Sequence, residues 1–199
     1  SFQKQGPLDM RMDFSTGETV ADWLSAVEEG ELVRVLRELG EERYAKRIAR
    51  AVVSARQRVP LTTTTELAAL ISQCIPTSEP GKHAATRTFQ ALRIKVNGEL
   101  DELDVILSQI ESLLSVNGRL VVISFHSLED RRVKRFFRRC ARGDEYPPDL
   151  PITRDQIRPT LRLVGKLLRP TSVEVDLNPR ARSAVMRVAE RTGEKILCA

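Results

Sequence analysis

Gly118-Arg119-Leu120-Val121-Val122-Ile123-Ser124-Phe125-His126-Ser127-Leu128-Glu129-Asp130-Arg131-Arg132-Val133-Lys134-Arg135-Phe136-Phe137 carries an apolar run straight into a basic, amphipathic one. Leu120 to Ile123 is an unbroken aliphatic run of the sort found in a strand buried on both faces of a parallel sheet. Beyond it, Val133, Phe136, Phe137 and Cys140 recur at i, i+3, i+4 and i+7, the apolar stripe of a helix whose other face is almost all arginine. Ser127 stands where an N-cap belongs, with Asp130 three residues on to complete it. That reading places His126 at the carboxyl end of the strand, which is where open α/β sheets bind ligands.

Upstream, the pattern is helical. Thr19 with Asp22 and Thr63 with Glu66 have capping-box spacing. Val20, Trp23, Leu24 and Val27 form one buried stripe; Leu32, Val35, Leu36 and Leu39 form a second, ending at Gly40. A third helix, Glu41 to about Arg58, buries Tyr44, Ile48, Ala51, Val52 and Ala55 and stops before Pro60; a fourth runs from Thr63 through Leu67, Leu70, Ile71 and Cys74 to Pro76. Residues 76 to 82 read as a linker, and 83 to 116 as two helices broken at Asn97-Gly98. The second of these leads directly into the Leu120 strand, as in an α/β domain. At the front, Gly6-Pro7-Leu8-Asp9-Met10-Arg11-Met12-Asp13 alternates apolar and charged residues, either as a docked loop or as a short edge strand. At the back, 143 to 159 reads as a loop, and Leu161–Leu168 and Ala184–Ala189 as an antiparallel pair finishing the sheet. One long strand and a terminal pair are too few for a doubly wound domain, so the sheet reads as half of a larger one.

With 199 residues, 30% charged and 41% hydrophobic, the chain can bury one sizeable core or two small ones. No apolar stretch is long enough for a bilayer, which argues against a membrane role. The three cysteines are far apart and odd in number; they suit a reducing compartment, and the cytoplasm is the expected location. Net charge is +5. Seven basic residues and no acidic one lie between Arg131 and Arg142, including Arg131, Arg132, Arg135 and Arg139; a second cluster holds Arg43, Lys46, Arg47 and Arg50. Each alone reads better as the wet face of an amphipathic helix, whereas two together suit a polyanion such as RNA.

The common nucleotide and hydrolase motifs, G-x-G-x-x-G, G-x-x-x-x-G-K-[ST] and G-x-S-x-G, are absent. The two histidines, His83 and His126, have no cysteine or second histidine at ligand spacing, so no metal site is expected. His126 beside Ser127 suggests a nucleophile and base, but neighbours at a strand end point apart, and a structural or substrate-orienting role for His126 is the better reading.

Five blocks carry a resemblance: Gly6 to Asp13, Gly40 to Ala49, His83 to Ile94, Ser124 to Arg131, and Asn178-Pro179-Arg180-Ala181-Arg182-Ser183. In this order they resemble the signatures of the bacterial RsmH (MraW) family. The resemblance implies S-adenosylmethionine-dependent methylation of the exocyclic N4 of a cytidine in the decoding region of 16S rRNA, within the small ribosomal subunit. The implied fold is α/β, a Rossmann-like methyltransferase domain interrupted by an all-helical insertion. On that pattern, residues 1–13 are a loop returning from an N-terminal catalytic half, 14–88 the inserted substrate-recognition domain, and 89–199 the C-terminal half of the methyltransferase domain.

The family's cofactor-binding residues lie upstream of the Gly6 block, which here is preceded by Ser1 to Gln5 alone. They are therefore expected upstream of Ser1, and none maps onto this chain. Taken alone, the chain is expected to be truncated at its N-terminus and inactive. Asp9, His126, Ser127 and Asp130 are the polar candidates for lining a target-base pocket, with helix capping as the alternative for Asp130. Arg11 and Arg180 are candidates for nearby phosphates. A non-enzymatic RNA-binding module built on the two basic helices is the alternative function, and a homodimer is left open.

Overall fold

The computed structural model describes residues 4–76, 83–143 and 157–193. Ser1, upstream of which the cofactor-binding residues are expected, lies outside the described residues. The chain divides into two compact units, 1–99 and 100–199.

The first unit is helical: α1 (Val20–Ala26), α2 (Glu29–Gly40), α3 (Ala45–Arg56), α4 (Thr64–Cys74) and α5 (Thr86–Asn97). It takes in α5 as well as the helices of 14–88. Both capping boxes form: Thr19 and Thr63 accept the amides of Asp22 and Glu66, and each carboxylate returns to its cap amide. Val20, Leu24, Leu32, Leu36, Ile48, Val52, Leu67 and Ile71 are almost fully buried in one core. Each contributes about 1.5–3 kcal/mol of transfer free energy.

The Gly6–Asp13 segment is a docked loop. It meets the chain before α4 at one bridge, Pro7 with Thr63. Leu8 is its anchor, 1% exposed, with its amide donating to Thr62 O and its carbonyl accepting from Ala21. The Asn97 side chain accepts from the Met12 amide (2.7 Å) and donates to Met10 O (2.9 Å). Met12 itself is exposed, unlike Leu8.

Two boundaries differ from the sequence reading. Gly40 closes α2 from inside, and the left-handed cap falls on Glu41 at φ 50°. Glycine is needed at 40 for closeness to α5, because a Cβ there would lie 2.6 Å from Arg87 O. Helix α3 starts at Ala45, four residues late, and buries Ala45 and Ala49 where Ala51 and Ala55 were expected.

In the second unit, Gly98 at φ 61° separates α5 from α6 (Glu99–Leu113), which belongs to this unit from Leu100 onward. The remaining elements are β1 (Arg119–Ser124), α7 (Ser127–Arg142), β2 (Leu161–Leu163), α8 (Ser172–Leu177), a 3₁₀ turn (Pro179–Ser183) and β3 (Val185–Arg191). The sheet order is β1-β3-β2, with β3 antiparallel to both neighbours. The terminal antiparallel pair therefore forms, but the expectation of a parallel neighbour for β1 is not met among the described residues. An apolar run encodes burial and carries no information on a partner's direction.

Nor is β1 buried on both faces. Leu120 and Val122 pack with Leu107, Val133, Phe136, Phe137, Leu161 and Ala189 under α6 and α7. On the opposite face Val121 and Ile123 are 52% and 55% exposed. Gly165, at φ 68°, cuts the expected Leu161–Leu168 strand to three residues plus one bridge, Leu168 with Met186. Helix α8, capped by Thr171, was not anticipated. Most of the 76–82 linker and of the 143–159 loop lies outside the described residues.

Candidate functional site

The turn from β1 into α7 is where strand and helix geometry concentrate polar groups. The N-cap is His126, one residue earlier than the expected Ser127. Its Nδ1 accepts the Glu129 amide (3.4 Å), while Glu129 Oε2 accepts the amides of Phe125 (2.9 Å) and His126 (3.3 Å). An imidazole can replace a hydroxyl here because the cap needs only an acceptor within reach of the third helical amide. The positive end of the helix is thus answered by the protein's own Glu129 carboxylate. Ser127 is the first helical residue and is exposed.

Asp130 does not cap the helix. Its two carboxylate oxygens receive Nε and Nη2 of Arg187 on β3 at 2.7 and 2.9 Å, a bidentate pair with both side chains about four-fifths buried. Hydrogen bonding to that guanidinium holds the Asp130 carboxyl below its usual range against the opposing effect of burial, and raises the pKa of Arg187 in return. Sequence reading missed Arg187. The available signal was an arginine inside the apolar run Ala184–Ala189, on the face shared with Leu120 and Ala189; such a charge needs a partner.

On the bare face, Ile123 and Met186 form the wall of a cavity of about 650 Å³, closed by Phe125, Leu168, Arg169 and Arg180 among others. Arg180 was a sequence candidate; Phe125 and Arg169 were not. Asn178 Oδ1 accepts the Arg180 amide and so fixes the 3₁₀ turn that presents this arginine.

The basic faces are real surfaces. Arg131, Arg135 and Arg139 are exposed along α7, Arg139 lying 5.6 Å over the Phe136 ring. Arg132 pairs with Asp104 of α6 at 3.3 Å. Arg43, Lys46, Arg47 and Arg50 are exposed at the start and along the outer side of α3. In the first unit, Asp9 and Arg11 form a bidentate pair (2.7 and 3.0 Å), and Arg11 also donates to the carbonyls of Thr16 and Gly17. That guanidinium lowers the Asp9 carboxyl.

The model of the MraW methylase family matches residues 1–192. The chain belongs to the MraW methylase family. Among its relatives are ribosomal RNA small subunit methyltransferases H from three bacteria. The Nitrosospira multiformis protein is 55% identical over 197 residues, covering 96% of this chain and 62% of the relative. That of Thioalkalivibrio sulfidiphilus is 56% identical over 192 residues, covering 96% and 61%. That of Chromohalobacter salexigens is 55% identical over 194 residues, covering 97% and 59%. The chain therefore spans about three-fifths of the length of these MraW-family relatives. No helix among the described residues is long and apolar enough to cross a membrane.

Proposed function

We propose that this chain is part of an S-adenosylmethionine-dependent enzyme that methylates N4 of a cytidine in the decoding region of 16S rRNA, in the cytoplasm. The observation that carries the reading is the family match, which runs from residue 1 to residue 192. On this reading 14–88 is the helical substrate-recognition insertion, and 89–199 supplies the C-terminal half of a Rossmann-like catalytic domain, reached from its other half through 1–13. The sheet order β1-β3-β2, in which the last strand lies antiparallel between two earlier ones, supports that assignment, as does the unpaired outer edge of β1 among the described residues.

The β1–α7 turn does not fit the methyl donor. A nucleoside cofactor lying over a strand-to-helix turn is favoured by a glycine that lets the backbone come close and by amides left open to it. Here the β1–α7 turn is Ser124-Phe125-His126-Ser127, without glycine, and Glu129 occupies its amides. No chemical step is therefore drawn through the donor. What these residues contribute is substrate handling. A base must leave its stack before an exocyclic amine can be reached. His126 and Ser127 stand at the carboxyl end of β1 to line that space. Asp130 and Asp9, held by Arg187 and Arg11, act as positioning groups rather than as free carboxylates.

The basic faces of α3 and α7 hold the RNA backbone. Arg47→Glu combined with Arg135→Glu should weaken single-stranded RNA binding and lower the slope of log K against log salt by about 1.4, at about 0.7 per lost phosphate contact. An unchanged slope would remove these faces from the interface. For the enzymatic reading, the chain extended upstream of Ser1 to the family's full length should bind S-adenosylmethionine by calorimetry and transfer its methyl group to 16S rRNA. Absence of binding there would leave an RNA-binding module without catalysis.

A further inference from the structure

We propose that Asn97 is a positioning residue: its carboxamide locks the entry of the helical unit to its exit, and so presets that unit for rRNA. The inference deepens the proposed function and rests on it, because there residues 1–13 lead into the recognition insertion. The exit is the end of α5, where Gly98 at φ 61° hands the chain on. Between entry and exit, Asn97 uses both ends of its carboxamide. Oδ1 accepts the Met12 amide at 2.7 Å, while Nδ2 donates to Met10 O at 2.9 Å and to Arg93 O at 2.8 Å. The side chain therefore grips the two peptide groups on either side of Arg11.

What the grip holds is a backbone form that Met10 disfavours. Met10 stands at φ 63°, in the left-handed region that costs a side-chain-bearing residue about tenfold in population. Strain of this kind persists only where its surroundings impose it. Docking of the loop does not need it. Leu8 already anchors the segment, through its bonds to Thr62 and Ala21 and its own burial. Nor does the end of α5 need the Asn97 side chain, since the Gly98 amide itself donates to Ile94 O. The rest of the loop is built onto the held form. Asp9 Oδ1 accepts both the amide and Nε of Arg11, at 3.2 and 2.7 Å, and Nη1 of that guanidinium reaches Thr16 O and Gly17 O. On the α5 side, Arg93 closes across Gly98 onto Glu99 in a bidentate pair of 2.6 and 2.8 Å. Only an amide serves at position 97, because the site needs one acceptor and two donors on one planar group. A unit whose two connections are locked together has less conformational freedom to lose when it binds. The lock therefore acts on affinity and not on the chemical step.

The test takes the chain extended upstream of Ser1 to the family's full length, with small ribosomal subunits carrying unmethylated 16S rRNA. Asn97→Ala should raise KM for the particle about tenfold, and leave kcat and S-adenosylmethionine binding by calorimetry unchanged. Asn97→Asp, which keeps the acceptor and loses both donors, should behave alike. Met10→Gly placed in the Asn97→Ala protein removes the left-handed cost and should bring KM back to within about threefold of the parent. A second readout needs no turnover and uses the 199-residue chain itself. In hydrogen exchange, Asn97→Ala should release the Met12 amide while the Leu8 amide, bonded to Thr62 O, keeps its protection. Loss of protection at both amides would show a general loosening of the unit. An unchanged KM, or a fall in kcat at constant KM, would show that the lock does not serve binding. Each of these overturns the positioning role and leaves the methyltransferase reading in place. If the extended parent transfers no methyl group, that reading falls, and the substrate role of Asn97 falls with it.

Discussion

The Asp130–Arg187 pair ties the first turn of α7 to β3, and its removal should be felt both in stability and in the pose of the β1–α7 turn. The perturbation is Asp130→Asn. Two charge-assisted hydrogen bonds of 2.7 and 2.9 Å are at stake, between side chains 21% and 20% exposed. Stripping one partner from a fully buried pair costs about 3–5 kcal/mol, whereas exposed pairs are worth about 0–1 kcal/mol. One-fifth exposure, and an amide that can keep one hydrogen bond, place the cost near 2 kcal/mol. For a unit of about 100 residues that is a fall in Tm of about 10 °C, measurable by circular dichroism.

The sign with pH is determined by the lowered carboxyl. Asp130 in the folded chain titrates below its ordinary value, so the pair's contribution is complete above the unfolded-state pKa of about 3.9 and is lost as pH falls through the folded-state value. The gap between parent and Asp130→Asn should be full at pH 7 and close in acid. A double-mutant cycle with Arg187→Met should return a coupling of about 2 kcal/mol. Equal midpoints at pH 7, or a gap that acid does not narrow, would refute the assignment of this pair as a structural tie.

Gly40→Ala should destabilise the helical unit by about 1–2 kcal/mol in urea unfolding: the new Cβ meets Arg87 O at 2.6 Å and forces α2 from α5, which outweighs the helix propensity gained. Thr63→Ala should cost about 1 kcal/mol by the same measurement, since the Glu66 amide loses its acceptor. Cys140, 6% exposed and pushed by burial up to about 11, should resist iodoacetamide at pH 8 in the folded chain and react once urea unfolds it.

Much of the fold was legible in the residues because the signals are local. Thr19-x-x-Asp22 and Thr63-x-x-Glu66 satisfy their own amides whatever surrounds them, and Asn97-Gly98 breaks a helix by its own backbone preference. The stripe Val133, Phe136, Phe137 and Cys140 likewise named the buried face of α7, and by exclusion its arginine face. The site was less legible. Sequence placed Ser127 and Asp130 in a capping box, yet His126 and Glu129 form it, one residue earlier; both pairs have the same spacing, and only the direction in which β1 hands over to α7 chooses between them. With the cap taken, Asp130 became available to Arg187, 57 residues away. The cavity beside Phe125 follows the same logic, since Ile123, Leu168, Arg169, Arg180 and Met186 become neighbours only through the antiparallel β1–β3 pairing and the Leu168–Met186 bridge.

The amino-acid sequence by itself determined the helical front, the strand-to-basic-helix junction and the family, because periodicity, capping and motif order are properties of short stretches. Tertiary structure alone decided that β1 pairs antiparallel with β3, that Arg187 rather than solvent answers Asp130, and that Gly40 is held by its closeness to α5. Each of these depends on which distant backbone arrives alongside, and hydrophobic patterning specifies that something must pack there without specifying what.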